Sequence, residues 1–282
     1  MIDDVIKFLE PYTYLIIGSI KALVIAGALL GIVPALVWLE RRLMGRFQVR
    51  LGPNRVGPLG LGQPIADSIK LLFKESIIQS SADKFLFHLA PAIVVFTAIV
   101  TFAVIPFGEP ITVLGQEIGL WAANVNIGLL FVFAISGMGV YGMVLAGLSS
   151  NNKYSLMGGL RSSAQMISYE LTLGLAALSI IVLTGSLNLI DMVNSQNLYP
   201  NILIQPLAFL LFFIAGVAET NRAPFDLPEA EQELVAGFHT EYTGMKFAMF
   251  FMGEYINMVT MSALVTLLFL GGWNAYGIPI WP

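Results

Sequence analysis

The stretch "SSAQMISYELTLGLAALSIIVLTGSL", residues Ser162–Leu187, decides the fold class of this sequence. It is apolar along most of its length, and its one charged residue is Glu170. A helix needs roughly 17–25 residues of this kind to cross a bilayer. Because lipid offers no hydrogen-bond partner to the backbone, such a segment crosses as an α-helix. The stretch therefore predicts a transmembrane helix that carries a single acid.

The rest of the sequence repeats this pattern. The chain is 57% hydrophobic and 11% charged, with a mean hydropathy of +0.80, whereas soluble domains have about 25% charged residues. This composition predicts an all-α integral membrane protein that forms one transmembrane domain over residues 1–282. We predict six crossings, at Ala22–Leu39, Leu89–Phe107, Ile127–Leu148, Ser162–Leu187, Ile202–Ala218 and Phe247–Gly272.

The N-terminal residues and the missing cysteines exclude two further features. Asp3, Asp4 and Glu10 stand where a cleavable signal peptide would have a basic leader, so we expect the first crossing to be a retained anchor. The sequence contains no cysteine. Cysteine-ligated iron–sulfur clusters, thiolate chemistry and disulfides within this chain are therefore excluded.

The basic residues predict the orientation in the membrane. All but Lys7 and Lys21 of the 14 Lys and Arg residues fall in connections on one side of the predicted helices. Because positive charge collects on the cytoplasmic side, the loops at 40–84 and 221–246 are expected to face the cytoplasm or its equivalent, and both termini the opposite side. The basic residues on the inner side are Arg41, Arg42, Arg46, Arg50, Arg55, Lys70, Lys74, Lys84, Lys153, Arg161, Arg222 and Lys246.

The first inner loop contains an amphipathic stretch near residues 63–75. Its neighbours are rich in Gly and Pro, a composition typical of turns. Within the stretch, Ile65, Ile69, Leu72 and Phe73 recur at helical spacing, while Asp67, Lys70 and Lys74 lie opposite them. This pattern predicts a helix that lies along the membrane surface or against the bundle. An ordinary surface helix that fixes the loop would produce the same pattern.

Two acids lie deep within predicted crossings. At about 1.5 Å per residue, Glu170 lies roughly 13 Å from the basic face, counted from Arg161, and Glu254 roughly 12 Å, counted from Lys246. A charged side chain at such a depth costs about 2.5–3.5 kcal/mol on insertion scales, and residues of this kind usually mark proton or ion routes. A protonated glutamate that joins two helices by a hydrogen bond is the structural alternative.

The segment Glu219–Phe247, "ETNRAPFDLPEAEQELVAGFHTEYTGMKF", is unusually acidic for this chain. Asp226 and Glu229 have the spacing of a capping box at a helix start. This role leaves several acids unexplained: Glu219, Glu231, Glu233 and Glu241. Crowded carboxylates do not all ionise at neutral pH, and their proton occupancy responds to nearby charge. The segment is therefore a candidate proton relay or sensor, and a solvated acidic loop is the alternative.

Several functional motifs are absent from the sequence. There is no GxxxxGK[ST] phosphate loop, and the glycines of "VGPLGLG" lack the flanking strand and helix of a dinucleotide site. His88 and His239 are too few for a zinc site. No motif in the chain carries electrons, so the energy for moving protons against a gradient would have to come from a partner subunit.

Three long motifs carry a resemblance to a known family. "LER" with "GPNRVGPLGLGQPIADSIKLLFKE", "NNKYSLMGGLRSSAQMISYE" and "AETNRAPFDLPEAEQELVAGFHTEYTGMKFAMFFMGEY" stand in this order along the chain. Together they closely resemble the H-type membrane subunit of respiratory complex I, NADH:quinone oxidoreductase. The resemblance extends over nearly the whole sequence. The family normally has eight crossings, whereas this sequence ends after the sixth predicted one.

The resemblance implies a subunit where the membrane arm meets the redox arm, forming much of the quinone chamber and coupling quinone reduction to proton translocation. By motif match, the implied quinone-binding residues are Glu40, Arg41, Arg46, Asp67, Lys70, Arg222 and Phe225. The implied proton pathway consists of Glu170, Glu219, Asp226, Glu229, Glu231, Glu233, Glu241 and Glu254. No catalytic residue and no metal ligand is implied within this chain.

The resemblance also implies partners and an address. Quinone would be the substrate, with FMN, NAD and iron–sulfur clusters held by partner subunits of the same translocase. The implied partners are the peripheral subunits of the quinone site, small membrane subunits and the lipid bilayer, with no nucleic acid. The implied location is the bacterial plasma membrane, with the mitochondrial inner membrane as the alternative.

Other functions fit part of the sequence. A membrane subunit of a ferredoxin- or hydrogenase-linked complex would share the motifs. A stand-alone proton-coupled transporter would also bury acids such as Glu170 and Glu254, but it predicts inverted repeats that this sequence lacks. A purely architectural anchor for the redox arm would leave the acids without a role.

Overall fold

A bundle of apolar helices forms the protein. The computed structural model describes residues 2–113, 116–196, 199–226, 233 and 235–274. Within these ranges the α-helices are α1 (Ile2–Phe47), α2 (Gln63–Phe73), α3 (Lys84–Thr101), α4 (Gly128–Ser149), α5 (Lys153–Thr184), α6 (Leu189–Asn194), α7 (Asn201–Ile204), α8 (Pro206–Glu219) and α9 (Met245–Phe269). Short 3-10 helices occupy Pro58–Gly60, Phe102–Val104 and Gly237–His239.

The all-α membrane fold predicted from the sequence is confirmed. The helices long and apolar enough to cross a membrane in the described part of the chain are Ile17–Phe47, Lys84–Val104, Gly128–Ser149, Lys153–Thr184 and Met245–Phe269. The predicted crossing at Ile202–Ala218 is interrupted. It consists of the short helices α7 and α8, which are separated at Gln205, whose φ of −132° and ψ of 64° are not helical.

One helix boundary and one pair of strands differ from the sequence prediction. Helix α1 continues to Phe47, so Glu40, Arg41 and Arg46 lie on a helix rather than in the loop predicted to begin at residue 40. The sequence from Glu40 to Phe47 contains no Pro and only one Gly, so nothing in it ends the helix earlier. Short antiparallel strands, β1 (Ile111–Val113) and β2 (Gln116–Ile118), which the sequence did not predict, pair with each other in the connection between α3 and α4.

Local chemistry fixes the ends of the crossing helices. Helix α3 starts after Asp83, whose Oδ1 accepts hydrogen bonds from the backbone N–H groups of Phe85 and Leu86 at 3.0 and 3.3 Å. Helix α5 starts after Asn152, whose Oδ1 accepts from the N–H of Tyr154 at 3.0 Å. Helix α5 ends at Gly185, which has a φ of 69°. Side-chain acceptors at N-caps and glycine after the C-terminus are the expected terminators.

Glycines bring the central helices close together. A Cβ atom at Gly142 of α4 would lie 2.5 Å from Cγ2 of Val94 in α3, and one at Gly253 of α9 would lie 2.6 Å from Cγ1 of the same valine. At Gly147, a Cβ would lie 2.7 Å from the carbonyl oxygen of Ser155 in α5. Small residues at such crossings let helix backbones approach in a bilayer. Helices α3, α4, α5 and α9 therefore form the packed centre.

Helix α2 occupies the position predicted for the amphipathic segment. It runs from Gln63 to Phe73, and at Lys74 the backbone is extended. It packs beside α1 and α9. Ile65, Leu72 and Phe73 are 63%, 61% and 87% exposed, so the apolar face of α2 is open. This placement puts the polar side of α2 against the inner end of α1.

Candidate functional site

A cavity of about 560 Å³ lies between the inner halves of α1, α2 and α9. Helix α1 contributes Val37, Glu40 and Arg41, and α2 contributes Asp67 and Lys70. Helix α9 closes the third side with Phe251 and Tyr255. Ligand sites are commonly cavities of this size, with apolar walls and a few polar groups. The cavity joins polar groups at the inner end of the bundle to an apolar interior.

Asp67 holds the polar wall of the cavity together. Its Oδ2 accepts a hydrogen bond from the guanidinium of Arg41 in an ion pair between α2 and α1. Its Oδ1 accepts a hydrogen bond from Nε2 of Gln63 at 3.1 Å and lies 3.9 Å from Nζ of Lys70. The carboxylate is 25% exposed. These contacts attach the surface helix to the membrane helix across the mouth of the cavity.

Arg222 links the cavity wall to a partly buried acid. It follows the end of α8, and its Nη1 donates a hydrogen bond to Oε1 of Glu40 in α1 at 3.1 Å. Its Nε lies 2.6 Å from Oε1 of Glu254 in α9. The side chain of Glu254 is 12% exposed and that of Glu40 is 41% exposed. One guanidinium therefore forms ion pairs with a carboxylate that lines the cavity and with a carboxylate within the bundle.

Tyr255 completes this group. Its hydroxyl donates a hydrogen bond to Oε2 of Glu40 at 2.5 Å, and the guanidinium carbon of Arg222 lies 4.6 Å from the centre of its ring. Glu40, Arg222, Glu254 and Tyr255 thus form a four-residue cluster, which we call the arginine cluster. A cation over an aromatic ring contributes up to about 2 kcal/mol when desolvated.

The cluster keeps Arg222 charged. Burial lowers the pKa of Arg222, but the carboxylates of Glu254 and Glu40 and the contact with Tyr255 raise it more, so the net pKa lies above its ordinary value. Arg222 is therefore a fixed cation between two acids. Any change of charge in the cavity must change how this cation is shared.

Polar side chains continue from the arginine cluster to α5. Asn221 and Glu254 line a small cavity of about 10 Å³ together with Met143. Nε2 of Gln165 in α5 donates to Oδ1 of Asn221 at 3.2 Å and to the carbonyl of Ala218 at 3.0 Å. These contacts join the end of α8 to α5 beside the buried acids.

Glu219 and Glu170 form a second pair of acids. Glu219 ends α8 and is 5% exposed. It interacts electrostatically with Glu170 of α5, and the carboxyl group of Glu170 lies against Gly137 of α4. The structure thus relates Glu219 of α8 to Glu170, which lies between α5 and α4.

Comparison with known proteins assigns the family. The family model described as NADH dehydrogenase matches residues 20–281. This chain belongs to that family.

Curated relatives agree with the assignment. An H-type subunit of the NADH-quinone oxidoreductase of Syntrophobacter fumaroxidans is 52% identical over 259 residues, covering 92% of this chain and 78% of the relative. The corresponding protein of Geobacter sulfurreducens is 56% identical over 244 residues, covering 86% and 74%. That of Syntrophotalea carbinolica is 50% identical over 268 residues, covering 95% and 80%. The resemblance of the sequence to these H-type membrane subunits is confirmed.

Within this family framework, the structure gathers some predicted quinone residues and separates others. Glu40, Arg41, Asp67 and Lys70 line the cavity, and Arg222 touches it through Glu40. Arg46 instead lies in a second groove of about 280 Å³ with Trp38 and Arg42. Phe225 packs its ring against Tyr169 of α5, with ring centres 5.4 Å apart.

The acids of the inner loop are also separated. Glu233 forms an ion pair with Arg161 at 2.8 Å, with both side chains more than one third exposed. Glu241 accepts a hydrogen bond from Nδ2 of Asn152 at 2.6 Å. Asp226 is exposed and makes contacts within the chain. The predicted acids Glu229 and Glu231 lie outside the described residues. Among the described acids of this loop, Glu233 and Glu241 therefore face different parts of α5.

Tyr255, Asn221 and Gln165 were not among the site residues predicted from the sequence. A signal for Tyr255 existed, because it directly follows Glu254 in the motif "MGEY". Asn221 and Gln165 are ordinary polar residues near helix ends in the sequence, and only the packing of α8 on α5 gives them a role. Within the described ranges, no three His, Asp or Glu side chains gather in a way that could hold a metal ion.

Proposed function

We propose that this chain is the membrane subunit of a proton-translocating NADH:quinone oxidoreductase that receives the quinone headgroup in the cavity and couples its reduction to buried acids. The observation that carries the proposal is the sharing of Arg222 between Glu40 in the cavity wall and Glu254 in the bundle. The names of the relatives support the electron donor and the acceptor.

The cavity suits a quinone. It is lined by apolar side chains of α1 and α9, which suit an apolar tail, and by Glu40, Tyr255 and Arg41, which suit a polar ring. A quinone becomes a quinol when it takes up two electrons and two protons. NADH would supply the electrons and become NAD, and the FMN and iron–sulfur clusters of partner subunits would carry them to the quinone. These partners would include peripheral quinone-site subunits and small membrane subunits.

The arginine cluster provides the coupling. Negative charge that arises on the quinone near Glu40 attracts the guanidinium of Arg222 and weakens its hold on Glu254. A buried carboxylate that loses its counter-charge takes up a proton, because a charged group is costly in a low-dielectric interior. Glu254 would then pass protons toward Glu219 and Glu170, which interact electrostatically with each other. The relatives are bacterial, which supports the bacterial plasma membrane as the location.

Replacing Arg222 in the assembled complex tests the proposal. We expect Arg222→Gln to lower NADH:quinone turnover and proton translocation at least tenfold, because both carboxylates lose their shared cation. Arg222→Lys keeps the charge but not the two-sided contact, so it should recover only part of the activity. NADH oxidation by ferricyanide, which needs only the redox arm, should stay unchanged.

Lys153→Gln is the matched control. Lys153 is an exposed cation whose Nζ lies 5.4 Å from the centre of the Tyr154 ring, so its loss should change neither reaction. If assembled Arg222→Gln complexes reduce quinone and translocate protons at the wild-type rate, the proposed coupling is wrong.

A further inference from the structure

The carboxyl group of Glu170 lies flat against Gly137 of α4. A Cβ atom built at Gly137 would lie 2.6 Å from Oε1, 3.2 Å from Oε2 and 3.3 Å from Cδ of Glu170. Its three nearest neighbours are therefore all atoms of one carboxyl group. A contact below 3.0 Å is essentially never seen for a Cβ atom, so a side chain at position 137 and the carboxyl group cannot share this place.

Gly137 differs from the other close-contact glycines of α4. At Gly142 the added Cβ would meet Val94 and the carbonyl of Ala90, and at Gly147 it would meet the backbone of Ser155. Those glycines permit helix backbones to approach. Packing of the two helices therefore does not explain the contact at Gly137, because the nearest atoms there belong to the end of a flexible side chain.

Glu170 also interacts with an acid of α8. Helix α5 packs between α4 and α8, and Glu170 interacts electrostatically with Glu219 at the end of α8. Glu219 is buried. The distance between the carboxyl groups of Glu170 and Glu219 thus depends on how close the Glu170 carboxyl group lies to α4. Because Gly137 has no side chain, the Glu170 carboxyl group can lie directly against the backbone of α4.

We propose that Gly137 is a positioning residue, which holds a place for the Glu170 carboxyl group between α4 and α5 and so sets its distance from Glu219. This inference rests on the proposed function of Glu170 in proton transfer. Proton transfer between side chains requires hydrogen-bond reach or one bridging water. A misplacement of about 1 Å can cost on the order of 100-fold in rate. The position of the Glu170 carboxyl group therefore affects the rate of proton transfer, even though Gly137 itself never bears a proton.

The test uses Gly137→Ala in the assembled complex. The three atoms nearest to the new methyl group all belong to the carboxyl end of a flexible side chain, so we expect Glu170 to be displaced while the helices keep their packing. We expect proton translocation and quinone reduction to fall at least tenfold, with ferricyanide reduction and assembly unchanged. Gly174→Ala on α5 is the control, because a Cβ there has no neighbour within 4 Å; it should behave as wild type.

A rescue separates positioning from packing. Glu170→Asp withdraws the carboxyl group by one methylene and makes room for a methyl group at position 137. In the Glu170→Asp background, Gly137→Ala should therefore cost less than twofold. A loss as large as in the wild-type background shows that Gly137 serves packing alone and overturns the inference. If Gly137→Ala fails to assemble, restoration of assembly by Glu170→Asp supports the inference, and continued failure overturns it.

Glu170→Gln distinguishes this inference from the function on which it rests. If Glu170→Gln translocates protons at the wild-type rate, Glu170 is not in the pathway and the proposed function of this acid is wrong. If Glu170→Gln is impaired while Gly137→Ala has wild-type turnover, the pathway stands and only the positioning role of Gly137 is overturned.

Discussion

At the scale of single residues, Arg222 carries more of the proposed mechanism than any acid does. The resemblance of the sequence assigned Glu40 to quinone binding and Glu254 to proton transfer, and the structure joins both to the same guanidinium. Removing one partner of an ion pair leaves a charge uncompensated, which costs more where less water reaches it, and here the side chain of Glu254 is 12% exposed and that of Glu40 is 41% exposed. The cation therefore explains how two acids of different exposure can respond to one event.

Tyr255 offers a finer test of the same cluster. We expect Tyr255→Phe to lower kcat/KM for quinone about tenfold, because it removes the hydroxyl that donates to Glu40 at 2.5 Å and leaves the ring under Arg222. A hydrogen bond to a charged group contributes about 1.5–3 kcal/mol, and about 1.4 kcal/mol corresponds to a factor of ten. Steady-state kinetics with a soluble quinone measures the change.

Tyr141→Phe is the control for this variant. Tyr141 lies on α4 and is 66% exposed, so losing its hydroxyl should leave the kinetics unchanged. Wild-type kcat/KM in Tyr255→Phe would show that the hydroxyl does not orient Glu40 for quinone.

The sequence identifies the residue types of this site, but it does not show that these side chains are in contact. Glu40 and Arg222 are 182 positions apart, and Glu40 and Tyr255 are 215 apart. Hydropathy places Glu40 and Arg222 in the two predicted loops and Tyr255 in the last predicted crossing, but only the packing of α1, α8 and α9 decides which side chains touch. Arg46, nearly two turns beyond Glu40 on α1, was implied to bind quinone by motif match, and the structure places it in a separate groove.

At the scale of elements, local patterns predicted the helices, and a local signal also marks the break in one of them. Long apolar runs are a local property, so the crossings were predictable. The interruption at Gln205 was missed because the crossing was predicted from hydropathy alone, although Pro206 follows Gln205 and the residue before a proline disfavours the helical conformation. Hydrogen bonds hold the two pieces in place: Nδ2 of Asn201 donates to the carbonyl of Leu268, and Nε2 of Gln205 donates to the carbonyl of Ser179. These bonds fix α7 separately from α8.

The 3-10 helix Gly237–His239 is seated on α5 and α9 by backbone and ring contacts. A Cβ at Gly158 of α5 would lie 2.6 Å from the backbone of Gly237. The ring of His239 lies 5.2 Å from that of Phe247 and 6.1 Å from that of Phe251. Burial lowers the pKa of His239 from 6.5 to about 4, so the histidine is neutral in the folded segment near neutral pH.

This shift predicts an acid-sensitive segment. Between pH 6.5 and 4 the opened segment binds a proton that the folded one does not, so stability is full above pH 6.5 and is lost as the pH falls toward 4. At about 1.4 kcal/mol per unit, local opening of residues 237–244 should become easier by about 3 kcal/mol between pH 7 and pH 4. Hydrogen exchange of the backbone amides, corrected for intrinsic rates, measures this opening.

Two histidine variants serve to check the cause. His239→Phe removes the titrating group and should abolish the pH dependence of opening in this segment. His88 is exposed on α3, so His88→Gln should leave the dependence as it is in the wild type. An unchanged pH dependence in His239→Phe would assign the effect to another group.

At the scale of the whole molecule, most of the basic residues and the cavity lie at the same end of the bundle. The cavity opens between the inner end of α1 and the surface helix α2, where most of the basic residues also lie. The pairing of helix ends supports this arrangement: the N–H of Asp83 bonds the carbonyl of Ser149 at one end, and the N–H of Leu129 bonds the carbonyl of Leu187 at the other. A redox partner that docks on the basic side would therefore meet the cavity mouth.

The orientation can be tested directly, because the sequence has no cysteine and each engineered thiol is the only one in the chain. Ser80 lies between α2 and α3 on the basic side, and Glu109 lies between α3 and α4 on the other; both are exposed. Since positive charge stays on the cytoplasmic side, a membrane-impermeant maleimide should label Glu109→Cys in outward-facing spheroplasts and Ser80→Cys in inverted vesicles. Both positions should react in detergent, which controls for cover by partner subunits. The reverse pattern of labelling would place the cavity mouth on the outer side, where the redox partner of this proposal could not reach it.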